Sequence, residues 1–207
     1  MSETSKTILV TFSGTHGSGK STNAGKCYFL LNASGKKFSY LRHQDILDPF
    51  GFVLRRTARI LGFKNPTDLE RTKPLGVLWS IYILFVYFPI LAVGIKLRQT
   101  LGYSVVSDRY VYDMLVGFSG DGVSVPVTGL LPRVLPHPDL SFVFDADESR
   151  ILAARPEHTP DFVRMEKKLY KETAERFGLE KVSTDDPPAV VWSRLFKEID
   201  SALDRSP

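Results

Sequence analysis

Val10-Thr11-Phe12-Ser13-Gly14-Thr15-His16-Gly17-Ser18-Gly19-Lys20-Ser21-Thr22 is the stretch on which the reading of this chain turns. Within it, Gly14 to Ser21 spell G-x-x-x-x-G-K-S, the pattern of a phosphate-cradling P-loop. The run from Thr7 to Phe12 is β-branched and apolar and predicts a buried strand. Asn23 to Leu31 predict a helix, so the loop has the strand-to-helix setting the pattern requires. Backbone N–H groups of Gly17, Ser18, Gly19 and Lys20 can turn inward as an anion nest. The glycines permit the necessary backbone angles, and the helix that follows adds the positive end of its dipole. Gly14, Thr15, His16 and Thr22 complete the predicted phosphate-binding set. In such a loop, Lys20 reaches the β- and γ-phosphates and the Ser21 hydroxyl ligates Mg²⁺.

Composition sets the frame around this loop. The chain has 207 residues, 43% hydrophobic and 24% charged, which predicts one domain with a sizeable core. Its net charge of +4 suits anionic substrates and is too small to indicate nucleic acid. Cys27, the single cysteine, lies in the helix after the loop. It excludes an internal disulfide, fits a reducing compartment, and reads as a packed residue, not a nucleophile. Residues 1–6 are polar and predict no leader peptide, so the expected location is cytoplasmic.

One segment competes with that reading. Leu75 to Ile95 carries no charge over a span-like length of about twenty residues, and Lys73 and Lys96 flank it. Pro89 should kink or break a helix there. A buried or interface-forming helix pair is favoured over a membrane span, and an exposed apolar face would mark a dimer or membrane contact.

Taken in order, the rest of the chain alternates strands and helices. Lys37–Leu41 predicts a second strand, and Arg42 just past it points into the crevice where ligands bind. A helix from Asp48 to about Leu61 carries Arg55, Arg56 and Arg59 on a solvated face. Tyr103–Ser107 predicts a third strand, running into Asp108-Arg109-Tyr110. A carboxylate at that strand end is placed to organise Mg²⁺ or its waters, and Arg109 can clamp a phosphate. Residues 118–138 form an irregular Gly- and Pro-rich segment. Asp139–Asp145 predicts a fourth strand, followed by a short helix with Arg150. A long helix capped by Asp161 stops at Gly178. Lys181–Ser183 is a short last strand, and a C-terminal helix begins near Ala189. The four histidines are scattered and show no metal-ligand spacing. The alternation implies a parallel sheet covered on both faces.

This order of motifs resembles the thymidylate kinase family and, more broadly, the P-loop nucleoside monophosphate kinases. The residues carrying the resemblance are Phe12-Ser13-Gly14 with Gly17–Thr22, then Gly102-Tyr103 with Asp108-Arg109-Tyr110, then Pro138-Asp139-Leu140 leading to Asp145. Arg150 and Arg155 in a lid segment of about 150–161, Glu166, Tyr170, Val182 and Asp185 follow. The resemblance implies a P-loop NTPase fold with a five-stranded parallel sheet and a short lid. It also implies ATP and Mg²⁺, γ-phosphoryl transfer to a nucleoside monophosphate (dTMP by default), and a homodimer packed through helices, here the apolar 75–95 segment. By position, Lys20 and Ser21 hold the donor phosphates and metal, and Asp108 organises the metal. Arg42, Arg109 and Tyr110 meet the acceptor, and Arg150 and Arg155 close over the transferring group.

Departures fall on the acceptor side. Family members usually carry an acid at position 13 and Asp or Arg at position 16; here stand Ser13 and His16. The usual Glu-Pro-Gly-Gly after the second-strand arginine is replaced around His43-Gln44-Asp45. The family's base-reading arginine falls near Phe88, and its Ser after Asp-Arg-Tyr falls near Asp113. A non-nucleotide acceptor (a sugar, a sugar phosphate or a membrane-linked phosphate) is the alternative expectation. A nucleotide-binding switch without acceptor chemistry is a third.

Overall fold

The structure is a computed structural model and describes residues 6–42, 56, 59–60, 81–120 and 135–204. The His43-Gln44-Asp45 departure, most of the predicted 48–61 helix, the start of the apolar segment and most of the Gly/Pro-rich loop lie outside those residues. Arg56 and Arg59 are exposed, as expected of a solvated face.

Five strands form one parallel sheet: β1 (Leu9–Gly14), β2 (Phe38–Arg42), β3 (Ser104–Asp108), β4 (Leu140–Asp145) and β5 (Glu180–Ser183), in the order β2-β3-β1-β4-β5. β1 is central, and all six of its residues are buried. A central parallel strand is covered on both faces, so it reads as a continuous apolar run and not as an alternation. Successive side chains still point to opposite faces, and each face has its own core. On one, Leu9, Leu41, Val105 and Val143 meet Phe88, Val111, Tyr170 and Ala174. On the other, Ile8, Val10, Phe12, Val106, Phe142, Phe144 and Val182 meet Ala24, Cys27, Leu31, Val191, Leu195 and Ile199. Phe12 stacks on Phe144 at 5.4 Å between ring centroids. Burying each such ring contributes about 1.5–3 kcal/mol.

Among the described residues, six α-helices accompany the sheet: α1 (Lys20–Ala33), α2 (Phe88–Thr100), α3 (Val111–Gly120), α4 (Glu148–Ala154), α5 (Pro160–Phe177) and α6 (Pro188–Asp204). α1 and α6 lie on one face, and α2, α3 and α5 on the other. The long helix is capped by Thr159, whose Oγ1 accepts from Phe162 N–H at 3.3 Å, and not by Asp161. Pro160 occupies the first turn, where its missing N–H costs nothing, so the cap falls just before it. Gly178, at φ 66°, ends the helix in the left-handed conformation.

Pro89 neither breaks nor ends its helix. A five-residue π turn, Ile83–Tyr87, precedes α2 directly, and Phe88 N–H donates to Ile83 O. A proline lacks the N–H for the usual bond and crowds the carbonyl one turn back. A widened π turn relieves both. The segment is two-faced: Tyr82, Ile83, Tyr87, Phe88, Leu91 and Ile95 are buried, whereas Ile81, Phe85, Ile90, Val93, Leu97 and Leu101 are exposed. Among the described residues, no helix is long and apolar enough to cross a membrane.

Candidate phosphate-binding site

The site gathers at the carboxyl end of the sheet. β1 runs into the loop at Gly14, which lies opposite Phe144 of β4. Thr15 N–H donates to Phe144 O at 3.3 Å. The Thr15 carbonyl then accepts Ser18 N–H at 3.2 Å, Ser18 Oγ–H at 2.8 Å and Lys20 Nζ at 3.2 Å. Those bonds fold the loop back on itself. Gly17 and Gly19 take φ near 80°, a region that side-chain-bearing residues avoid. Among the described residues, the amides of Gly17, Gly19 and Lys20 have no protein acceptor. α1 starts at Lys20 with neither a capping side chain nor an acidic residue in its first turn. Its first N–H groups and dipole therefore face the loop uncompensated, an arrangement that favours an anion.

Lys20 is 5% exposed. Burial holds its pKa below the ordinary lysine value; Asp113, Glu166 and Asp108 offset that and Arg109 adds to it. Among the described residues no carboxylate pairs with its ammonium, which stays available to a ligand carrying negative charge.

Asp108 closes β3 and is 3% exposed. Its Oδ1 accepts Ser21 Oγ–H at 3.1 Å, and its Oδ2 accepts Tyr40 Oη–H at 2.9 Å. Burial, and then the charge of Asp108, push the Tyr40 hydroxyl pKa up, so Tyr40 remains a donor. A hydroxyl and a carboxylate side by side at the mouth of an anion cradle are hard oxygen donors of the kind Mg²⁺ takes. Ser21 and Asp108 thus have the chemistry expected of the metal pair. Arg42, the last residue of β2, lies across the ladder from Asp108 and is exposed.

Arg109 adopts φ 77°, with its N–H on Phe12 O at 2.9 Å and its carbonyl accepting Ser107 Oγ–H at 2.8 Å. Left-handed backbone at a non-glycine residue costs about 1–2 kcal/mol. Such strain persists where surrounding contacts over-determine it, often at functional sites. Tyr110 is buried, and its hydroxyl donates to Pro136 O at 2.6 Å. Phe88 is wholly buried in the core.

The two lid arginines lie against the loop by different routes. A Cβ built on Gly17 would meet Arg155 Cγ at 3.2 Å, so the Arg155 stem covers the loop directly. Its guanidinium is 3.6 Å from Glu157. Arg150 donates to Thr184 O, and Thr184 Oγ1–H donates in turn to Ser18 O at 2.9 Å.

Three contacts joining distant parts of the chain had no signal in residue spacing. Glu166 accepts His16 N–H at 3.0 Å and pairs with His16 Nδ1 at 2.5 Å. Thr184 joins the loop to the end of β4, where it also meets Asp145 O at 3.1 Å. Ser13 Oγ–H donates to Asp113 Oδ2 at 2.6 Å. A cleft of about 650 Å³ on the α5 side touches the loop at Thr15 alone.

These features define an α/β architecture of the P-loop NTPase kind, with its anion cradle at the sheet's carboxyl end. The chain matches no protein-family model and no curated protein.

Proposed function

We propose that the chain is an ATP-dependent phosphotransferase of the thymidylate kinase type, moving the γ-phosphoryl of ATP to a nucleoside monophosphate, with dTMP the default acceptor. One observation carries the reading. The unshared amides of Gly17, Gly19 and Lys20, the buried Lys20 ammonium, the Ser21–Asp108 pair and the strained Arg109 turn all meet at one end of the sheet.

In this reading the loop amides and Lys20 orient the donor phosphates. Ser21 and Asp108 would hold Mg²⁺, which would supply neutralisation of phosphate charge. Arg109 and Arg42 grip the acceptor phosphate. Arg155, and Arg150 after leaving Thr184 O, add positive charge over the transferring group. Phosphoryl transfer asks a protein for little beyond such positioning and electrostatics. The exposed apolar face of the 81–101 segment is where a second copy would pack, and the cytoplasm is the compartment that fits one buried thiol.

The test is ADP release from Mg·ATP across the common nucleoside and deoxynucleoside monophosphates. Turnover with one of them supports the reading, and silence across the panel removes it. A second reading keeps the donor half and changes the acceptor to a sugar, a sugar phosphate or a membrane-linked phosphate. It is favoured by Phe88, fully buried in the core where the resemblance expects a base-reading arginine. Hexose phosphates in the same assay decide between the two.

A further inference from the structure

Asp113 has no role in the assignments above, yet it is bonded from three directions. Its Oδ2 accepts Ser13 Oγ–H at 2.6 Å and Tyr110 N–H at 3.0 Å. Its Oδ1 accepts Tyr170 Oη–H at 2.9 Å. The residue is 9% exposed, and among the described residues no cation stands within ion-pairing distance. Holding an unpaired carboxylate out of water costs several kcal/mol, or about that much less the worth of its hydrogen bonds. A neutral side chain could hold the same three donors more cheaply.

The donors are informative by their location. Ser13 immediately precedes Gly14 and so launches the loop. The Tyr110 amide directly follows Arg109, the residue in left-handed backbone. Tyr170 sits one helical turn after Glu166, which grips the loop at His16. One carboxylate therefore ties the start of the cradle, the Arg109 turn and α5 into a single unit. The resemblance expects an acid at position 13 and a serine near position 113. Here Ser13 and Asp113 stand there instead, in contact with each other.

We propose that Asp113 is a positioning residue for phosphoryl transfer, its charge and its bonds to Ser13, Tyr110 and Tyr170 fixing the Arg109 turn against the loop. This inference rests on the phosphotransfer reading. Asp113 acts through Arg109 and β1, so its loss should fall on turnover and spare ATP uptake.

The experiment uses the full chain, Mg·ATP, and a panel of nucleoside monophosphates and hexose phosphates as acceptors. Asp113→Asn keeps shape and most hydrogen bonds while removing the charge. It should bind Mg·ATP within about threefold of the parent while kcat falls about a hundredfold, the loss a small misplacement produces. Asp113→Ser should lose at least as much. The exchanged double variant Ser13→Asp/Asp113→Ser should recover about tenfold over Asp113→Ser alone, a coupling that two independent structural defects would not show. Tyr170→Phe removes one bond and no charge, and should lower kcat about fivefold with ATP affinity unchanged. It keeps the test open if Asp113 variants fold poorly.

Asp113→Asn or Tyr170→Phe with the parent's kcat would overturn the inference and leave the phosphotransfer reading standing. A double variant no better than the product of its singles would do the same. A parent chain that binds no Mg·ATP, or turns over no acceptor, removes the reading and this inference together.

Discussion

Gly14 and Gly19 both bracket the cradle and both take positive φ, yet replacing them with alanine should have very different consequences. Gly14 has φ 143°, and a Cβ there would lie 2.2 Å from Phe144 O and 2.8 Å from Phe144 N. Carbon and oxygen ordinarily approach to about 3.3 Å even in close contacts, so β1 and β4 would have to part by roughly 1 Å. That movement falls in the middle of the sheet, at the Gly14–Phe144 register and beside the Thr15 N–H bond to Phe144 O. Overpacking of this kind costs about 1–3 kcal/mol and the backbone strain about 1–3 more. Gly19, at φ 81°, has room: the nearest atoms to its Cβ are Asn23 Nδ2 at 3.6 Å and Thr184 Cγ2 at 4.0 Å. Gly19→Ala should therefore cost only the backbone term, about 1–2 kcal/mol. Urea unfolding followed by circular dichroism measures both. Gly14→Ala is expected about 2–6 kcal/mol below the parent, or roughly 4–24 °C in Tm for a chain of this size. Gly19→Ala should stay within about 2 kcal/mol of the parent. Equal losses at the two glycines would refute the β1–β4 register and the loop position that depends on it.

Asp108→Asn should leave the Tyr40 and Ser21 contacts largely in place but strip the Mg²⁺ dependence from nucleotide binding; an unchanged magnesium titration would remove Asp108 from the site. Glu166 should contribute to acid sensitivity. Burial alone would raise its pKa, but the His16 hydrogen bonds and the charges of His16 and Lys20 outweigh that and hold it below its ordinary value of 4.5. A depressed folded value means the stabilisation is complete above 4.5 and disappears as pH falls through the folded value. Glu166→Gln should flatten the fall in unfolding free energy over that acid range, and an identical pH profile would count against the pairing. Cys27 is 1% exposed, and burial pushes its thiol pKa up to about 12. It should resist thiol-reactive reagents in the folded chain and react in denaturant; rapid labelling of the native protein would contradict its place on the buried side of α1.

Where the determining forces are local, the residues alone were enough. The loop is set by glycines whose φ the chain needs within a few positions, and its strand and helix follow from short-range pattern. Each predicted strand was found within two residues at either end, and the stop at Gly178 fell as read. Local competition explains two misses. Pro160 shifted the cap from Asp161 to Thr159, and a π turn absorbed Pro89 because the two-faced packing of the segment favours continuing the helix. With no charge between residues 75 and 95, the pattern could not say which side of that helix faces the core.

What the sequence determined by itself, then, is a glycine cradle on a parallel α/β frame, because backbone angles and apolar periodicity are written over neighbouring residues. Only the tertiary structure decided which polar groups meet around the cradle: Ser13 with Asp113, Asp113 with Tyr170, His16 with Glu166, and Thr184 with Ser18. Those partners lie far apart along the chain and are joined by strand order and helix crossing. Their meeting depends on the whole sheet being assembled, not on any segment read alone.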